Sequence, residues 1–332
     1  VLESHIMMCL SVIKHLTQRL FLKMSDLLIT GGTGMIGAAF KNILPDAEYP
    51  TRRELYSIMN DPVDQESLHD KRIVHLAAKV GGVKANTAEV AEFYMQNSSL
   101  SGRLLSAAHL GGANKVISLL STCVYPDAPY VSYPLTEEQL HLGPPHSSNF
   151  GYAYAKRMID VMSRAYRQQY NCNFITAIPN NLYGENDNFD LNTGHVIPSI
   201  IRKVWEAKLS DKPFVECWGD GTPLREFTYS GDIAKIILFL LDNYNEPTPV
   251  NIGNTKEYSI KESVEIICNY LDYRGKILWQ SREPSGQHRK PSCNNKLLDL
   301  GWKKEWYTPF DEGIQKTCDW FIEAYPNIRG IN

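Results

Sequence analysis

Thr30-Gly31-Gly32-Thr33-Gly34-Met35-Ile36-Gly37 directly follows the apolar run Leu27-Leu28-Ile29, and its reading decides the fold. A short apolar run ending in glycine reads as a buried parallel strand, and a helix is expected after Gly34. Gly31 permits the tight turn, Gly34 lets the backbone approach a pyrophosphate, and Gly37 lets helix and strand pack closely. An anion placed there meets free N–H groups and the positive end of the helix. Such a glycine pattern is weak alone; between a strand and a helix it reads as a dinucleotide site.

Working outward, Arg72-Ile73-Val74-His75-Leu76-Ala77-Ala78, Lys115-Val116-Ile117-Ser118-Leu119-Leu120 and Asn173-Phe174-Ile175-Thr176-Ala177-Ile178 repeat the short apolar pattern. A helical stretch from about Ala88 to Leu110 separates the first two, and a long helix from near Tyr152 precedes the third. On that helix Ala155, Ile159, Met162 and Tyr166 share one face. Strands alternating with helices predict a Rossmann-type, doubly wound parallel α/β sheet. After about residue 185 the texture changes. A polar loop runs to Asn192, a helix follows Pro198, Ser259-Ile260-Lys261-Glu262 has the capping-box pattern, and Pro309 begins a last helix. We expect a dinucleotide-binding domain over 24–184, with a segment near 225–254 returning to it. A smaller α/β substrate domain is expected over 185–224 and 255–330. Residues 1–23 read as an extension outside the fold, because Met24-Ser25-Asp26 looks like a natural start and Lys14, His15 and Arg19 spoil a signal peptide.

The chain has 332 residues, 43% hydrophobic and 21% charged, with a net charge of −3. That is an ordinary globular composition without the field that nucleic acid or an anionic membrane would require. No apolar run approaches the length of a membrane span. Seven cysteines without a C-x-x-C pair imply a reducing compartment and no disulfide framework, so a cytoplasmic protein is expected. No metal-ligand cluster stands out.

Two choices turn on single residues. A nicotinamide cofactor with a free 2′-hydroxyl wants an acid after the second strand, and a 2′-phosphate wants cations. The second strand reads as Ala47-Glu48-Tyr49, followed by Thr51-Arg52-Arg53. The guanidiniums favour NADP(H), and Glu48 argues for NAD. Tyr152 and Lys156, four apart on a helix, project from one face, so a nearby ammonium is expected to lower the Tyr pKa. Ser121 closes a strand at the carboxyl edge of the sheet, where its hydroxyl can hold a substrate oxygen. Cys123 and His195 add a second acid/base pair, suited to moving protons on carbon. Tyr154 is the rival tyrosine, but it faces elsewhere.

Several longer stretches are more specific than the glycine loop. They are Leu76-Ala77-Ala78-Lys79-Val80-Gly81-Gly82-Val83, Ser121-Thr122-Cys123-Val124-Tyr125-Pro126, Gly143-Pro144-Pro145-His146-Ser147-Ser148-Asn149-Phe150-Gly151-Tyr152, His195-Val196-Ile197-Pro198 and Trp218-Gly219-Asp220-Gly221-Thr222-Pro223-Leu224-Arg225-Glu226-Phe227. Through them the chain, from about Asp26 to Ile322, resembles the extended short-chain dehydrogenase/reductases. More narrowly it resembles the GDP-L-fucose synthase family, 3,5-epimerase/4-reductases of GDP-4-keto-6-deoxymannose.

The resemblance implies an NADPH-dependent oxidoreductase and epimerase, a GDP-sugar substrate and a homodimer. It implies Cys123 as epimerisation base, His195 as acid, and Ser121, Tyr152 and Lys156 as the reductase triad. Gly31, Gly34, Met35, Ile36, Gly37, Arg52, Ala77, Ala78, Leu119, Lys156, Pro179, Asn180, Asn181, Leu182 and His195 would contact the cofactor. Lys203, Trp218, Arg225 and Lys290 would surround the GDP-sugar. Thr33 departs from the basic residue of some relatives, Lys203 replaces an Arg, and residues 47–70 match loosely. A nucleotide-sugar 4-epimerase or 4,6-dehydratase is the close alternative. A 4,6-dehydratase would want an acid after Thr122, where Cys123 stands. A cofactor-sensing regulator without catalysis is a third, disfavoured because Tyr152 and Lys156 are both present.

Overall fold

The structure, a computed structural model, describes residues 26–127, 129–280 and 288–331, so the expectation for residues 1–23 lies outside the described residues. Strands are β1 (Leu27–Thr30), β2 (Arg72–His75), β3 (Lys115–Leu119), β4 (Phe174–Pro179), β5 (Asn181–Tyr183), β6 (Phe214–Trp218), β7 (Leu224–Tyr229), β8 (Val250–Ile252), β9 (Glu257–Ser259) and β10 (Lys276–Gln280). Helices that matter here are α1 (Met35–Ile43), α2 (Arg52–Asn60), α3 (Val83–Ala88), α4 (Val90–Leu110), α5 (Phe150–Tyr170), α6 (Val196–Leu209), α7 (Ser230–Asn243), α8 (Ile260–Tyr270) and α9 (Phe310–Ala324).

β1, β2, β3, β4 and β8 form one sheet in the order β1-β2-β3-β4-β8, parallel at every junction. Helices cover both faces. Ile29, Val74, Ile117 and Ile175 pack with Phe40 of α1 and Ile233 and Ile237 of α7 on one side. Leu28, Ile73, Val116 and Phe174 pack with Leu105 of α4 and Ile159 of α5 on the other. Burial on both faces is why these strands read as unbroken apolar runs. A second core gathers Ile201 and Val204 of α6, Val215 of β6, Val264 and Ile267 of α8, and Ile314 and Phe321 of α9. It carries the two-stranded β6–β10 sheet and the β5-β7-β9 sheet.

The expected second strand shrinks to one parallel bridge between Leu28 and Glu48. Ile29 N–H donates to the Glu48 carbonyl at 2.8 Å and Glu48 N–H to the Leu27 carbonyl at 3.0 Å. Pro50 then removes a ladder donor, and Thr51 starts α2 at once through a capping box with Glu54. Two other bounds differ. The helix expected from about Ala88 to Leu110 is α4, which begins at Val90 after the separate short α3, and α6 begins at Val196, two residues before Pro198. Pro198 thus lies in the first turn, where no intrahelical donor is needed.

The bridge lies on one edge of β1 and β2 on the other, so the chain switches sides at β1. Ligands of open α/β sheets bind at the carboxyl ends of strands beside such a switch. The glycine loop, Ala77-Ala78 and Ser121 all follow strand ends there.

Lys115 ties α7 to the sheet. Its buried ammonium donates to the carbonyls of Leu241 (2.6 Å), Tyr244 (2.6 Å) and Leu240 (3.2 Å) and to Asn245 Oδ1 (3.0 Å). The Leu241 carbonyl lies in the last turn of the helix and the Tyr244 carbonyl just past it, where intrahelical donors run out. The Leu240 carbonyl also accepts the Tyr244 N–H at 3.0 Å. Lys115→Met, which keeps the stem but orphans the Leu241 and Tyr244 carbonyls, is expected to destabilise the protein by about 3 kcal/mol. A urea midpoint equal to wild type would refute this.

Candidate active site

The phosphate loop is shaped by clashes that only glycine avoids. Gly31 has φ +77°, and a Cβ there would lie 2.9 Å from the Ala77 nitrogen. At Gly37 a Cβ would lie 2.2 Å from the Gly31 carbonyl oxygen, so even alanine would push α1 off the turn. Gly34 is different. A Cβ there meets only the Gly31 oxygen, at an ordinary 3.5 Å, so its bareness serves whatever approaches from outside. Gly34 also caps α1 without a side chain, and the first intrahelical bond runs from Ala38 N–H to the Gly34 carbonyl at 2.8 Å. The preceding N–H groups, those of Met35, Ile36 and Gly37, therefore point out of the helix end, as an anion site requires. Gly37→Ala is expected to weaken dinucleotide binding by at least roughly tenfold and to lower stability by about 1–3 kcal/mol. Isothermal titration and a denaturation curve read the two effects, and wild-type values for both would sink the packing argument.

Thr30 holds the neighbouring loop. Its Oγ1 accepts from the N–H groups of Leu76 and Ala77, both at 3.1 Å. His75 Nδ1 lies 3.2 Å from the same oxygen and its Nε2 3.0 Å from Ser101 Oγ. Burial, with the Lys156 charge, draws the His75 imidazole down to about 3, so it stays neutral.

Four of the five reactive side chains come together where β3 ends. Ser121 caps a 3-10 turn over Thr122–Val124. Its hydroxyl lies 2.9 Å from Cys123 Sγ, the thiol donating. Tyr152 and Lys156 stand one turn apart on α5. Lys156, only 3% exposed, donates to the Leu119 carbonyl at 2.9 Å and lies 6.0 Å from the centre of the Tyr152 ring. The expected lowering of the Tyr152 pKa is not what this arrangement produces. Burial, helped by the neighbouring Cys123, raises it well above the ordinary phenol value, because Lys156 is turned to a backbone oxygen. Burial draws Lys156 itself down to about 8. Tyr152 is thus a phenol at neutral pH, poised to give a proton. Burial also raises the Cys123 thiol, opposed by the Ser121 hydrogen bond and the charges of Lys290 and Lys156.

His195 stands apart, exposed at the N-terminal cap of α6. Its loop is laid over the residues after β2. Gly82 N–H donates to the Thr193 carbonyl at 2.9 Å, and Lys84 Nζ to Asn192 Oδ1 at 2.9 Å. A Cβ on Gly82 would sit 2.9 Å from the Gly194 oxygen, so the bare backbone admits the loop. Phe93 closes the other side, edge-on to Tyr152 at 6.0 Å. Asp187 is buried beneath the His195 loop. Burial raises its carboxyl, and the His195 charge opposes that rise.

The expected substrate residues divide. Lys203 Nζ lies 5.7 Å from the Trp218 ring centre, and the indole is 51% exposed, a free stacking face. Arg225 donates to the carbonyls of Leu224 (2.7 Å) and His288 (3.3 Å). It does not pair with Glu226, which is buried and accepts from Ser292 N–H (2.9 Å), Ser292 Oγ (2.5 Å) and Asn180 Nδ2 (3.3 Å). Lys290 belongs with Cys123 rather than Trp218: burial lowers its pKa, and the charges acting on it are those of Cys123, Asp127, Arg225 and Arg157.

Asn180 points inward. Its amide donates to the Asn254 carbonyl (2.8 Å) and accepts from Thr228 Oγ1 (2.7 Å), while Asn181 Nδ2 donates to the Glu226 carbonyl (2.9 Å). Sequence reading missed Thr30, Phe93, Asp187 and Glu226. Glu226 alone carried a local signal, an acid directly before the buried Phe227 and Thr228 of β7.

Residues 27–253 match the NAD dependent epimerase/dehydratase family. A GDP-L-fucose synthase from Dictyostelium discoideum is 36% identical over 91% of this chain and 97% of its own length. A GDP-L-colitose synthase from Yersinia pseudotuberculosis is 34% identical over 91% and 99%. Among solved structures, a GDP-L-fucose synthetase from Naegleria fowleri bound to NADP is 34% identical, covers 93% of this chain and 96% of that one, and superposes with a TM-score of 0.84. With the glycine cradle at the strand switch and a match across most of its length, the chain belongs to the NAD dependent epimerase/dehydratase family.

Proposed function

We propose that the protein is a GDP-L-fucose synthase. It epimerises GDP-4-keto-6-deoxymannose at C3 and C5, then reduces the C4 ketone with NADPH. The observation that carries this reading is the Cys123–Ser121 hydrogen bond beside Tyr152. A proton-transfer thiol shares the hydroxyl that would hold a ketone oxygen, as a site for both carbon-acid and carbonyl chemistry needs. The GDP-L-fucose synthases among its relatives support the same reading.

Protons at C3 and C5 are acidic because each is adjacent to the ketone. Cys123, as thiolate, removes one proton at a time, and His195 returns a proton from the opposite face. Between removal and return, negative charge sits on the C4 oxygen, where Ser121 and the Tyr152 phenol donate hydrogen bonds. Before the second epimerisation Cys123 loses its proton to solvent and His195 regains one. Bound NADPH supplies the hydride that reduces C4. Tyr152 gives its proton to the oxygen, and Lys156 steadies the resulting phenolate by turning its ammonium from the Leu119 carbonyl toward it. Trp218 offers a stacking face and Lys203 and Arg225 cations for the GDP moiety, while Lys290, beside Cys123, faces the sugar end of the substrate. The cradle of Met35, Ile36 and Gly37 N–H groups takes the cofactor pyrophosphate, Ala77, Ala78 and Leu119 border it, and the Pro179–Leu182 turn lines the nicotinamide.

NADPH oxidation with this substrate in D₂O, with product NMR, tests the whole reading. Substrate-dependent oxidation with deuterium at C3 and C5 is expected. Exchange without oxidation would leave an epimerase only. Tightly held, non-exchanging NAD with no net oxidation would favour a 4-epimerase or 4,6-dehydratase.

The chain forms a homodimer in this reading. An apolar groove between α4 and α5 is lined by Val90, Ala91, Tyr94, Phe150, Tyr154 and Val161, and a second copy would cover it. Sedimentation is expected to give twice the chain mass. Val161→Asp, at a residue 52% exposed, is expected to give the single chain; a monomeric wild type would remove the argument.

A further inference from the structure

The cofactor reading leaves open how a 2′-phosphate is told from a 2′-hydroxyl. In this fold the adenosine ribose lies over the carboxyl end of the segment following α1, here Glu48-Tyr49-Pro50. A carboxylate there would select the hydroxyl. Both nearby carboxylates are engaged: Glu48 in an ion pair with Lys71, and Glu54 in the capping box, accepting from Thr51 N–H at 2.7 Å.

Cations are on hand instead. Arg52 and Arg53 open α2 and are exposed, and among the described residues neither has a carboxylate partner. A third cation stands on a different helix, α1. Lys41, in the last turn of α1, runs its side chain back along the helix. Its Cε lies 3.3 Å from the point where a Cβ on Gly32 would sit, and its Nζ 5.3 Å from the centre of the Tyr49 ring. That ring is fixed. It packs 2.9 Å from the same point on Gly32, and its hydroxyl donates to the Leu44 carbonyl at 2.7 Å. The ammonium is therefore held across the gap between the phosphate loop and the segment that follows the bridge. Its contact there is an aromatic face, which leaves its N–H donors for an anion.

We propose that Lys41, held on Tyr49 above Gly32, is a specificity-determining contact for the 2′-phosphate of the cofactor, closing with Arg52 on the phosphate from opposite sides. This rests on the NADP reading above. An ammonium is a point charge and a guanidinium a planar fork, so the two approach one phosphate without competing for the same oxygen geometry. Tyr49 acts through Lys41, as a platform that keeps the flexible stem from wandering into solvent. The arrangement depends on the bare Gly32, since a side chain there would displace both the ring and the stem.

The test uses the whole protein and two probes that lack nicotinamide, 2′,5′-ADP and 5′-ADP, in isothermal titration. Wild type is expected to prefer 2′,5′-ADP. Lys41→Met keeps the stem packed on Tyr49 but removes the charge. It is expected to weaken 2′,5′-ADP about tenfold and 5′-ADP by less than about twofold, with a shallower salt dependence for the former. Lys41→Arg is expected to retain the preference. An unchanged preference in Lys41→Met, or equal losses for both probes, overturns the role of Lys41 while leaving the NADP reading intact. Loss of preference in Lys41→Arg equal to that in Lys41→Met also overturns it. A wild type without preference for the 2′-phosphate overturns the NADP reading itself, and the proposal with it.

Discussion

Cys123→Ser is expected to lower solvent-deuterium incorporation at C3 and C5 by about 10²–10⁴-fold, the usual worth of a positioned general base. A serine hydroxyl fits the volume but cannot ionise near neutral pH, whereas a thiol does so around pH 8.5 when unperturbed. Burial raises the Cys123 thiol, and Ser121, Lys290 and Lys156 work against that rise. The wild-type exchange rate should therefore climb with pH, up to and beyond the ordinary thiol range, because the active form is the deprotonated one. NADPH oxidation falls with exchange, since reduction follows epimerisation. Binding of 2′,5′-ADP should stay at its wild-type strength, which separates lost chemistry from a lost fold. Exchange persisting at the wild-type rate in Cys123→Ser would show that another group is the base.

Tyr152→Phe is expected to cut NADPH oxidation by about 10²–10⁴-fold with a smaller effect on exchange. The ring keeps its edge contact with Phe93 at 6.0 Å, so packing survives. What goes is the phenolic proton that the C4 oxygen must receive as hydride arrives. Ser121 still donates to that oxygen, so proton removal from C3 and C5 continues more slowly. Product NMR then shows deuterated, unreduced ketone accumulating. Oxidation at the wild-type rate would remove Tyr152 from the reduction and leave Tyr154 to be examined. Tyr154 lies in the α4–α5 groove, 5.3 Å above the Arg157 guanidinium.

Comparison of particular segments shows which features were legible early. β1, β2, β3 and β4 stood out as apolar runs because each is buried on both faces, which suppresses the alternation of a half-exposed strand. The segment at Ala47–Tyr49 carried a weaker version of that pattern and pairs through Glu48 alone, since Pro50 and the Thr51 cap end it at once. The roles of Gly31 and Gly37 were readable because a tight turn and a close helix contact are local demands. The one-turn spacing of Tyr152 and Lys156 was readable for the same reason. Their electrostatics were not. Nothing near residue 156 indicates that its ammonium bonds to the carbonyl of Leu119, thirty-seven positions earlier. The Glu226–Ser292–Asn180 cluster joins residues more than a hundred positions apart, so no periodicity announces it.

From the chain alone came the alternating architecture, the phosphate loop, and the candidate reactive side chains, because these depend on local conformation and on residue chemistry. Only folding decided their company: Cys123 on Ser121, Lys290 among the charges around Cys123, Lys41 over Gly32, and His195 on a loop laid across Gly82. Strand order and helix packing set these encounters. Burial then decides which groups hold a proton, because desolvation depends on everything packed around them rather than on their neighbours in the chain.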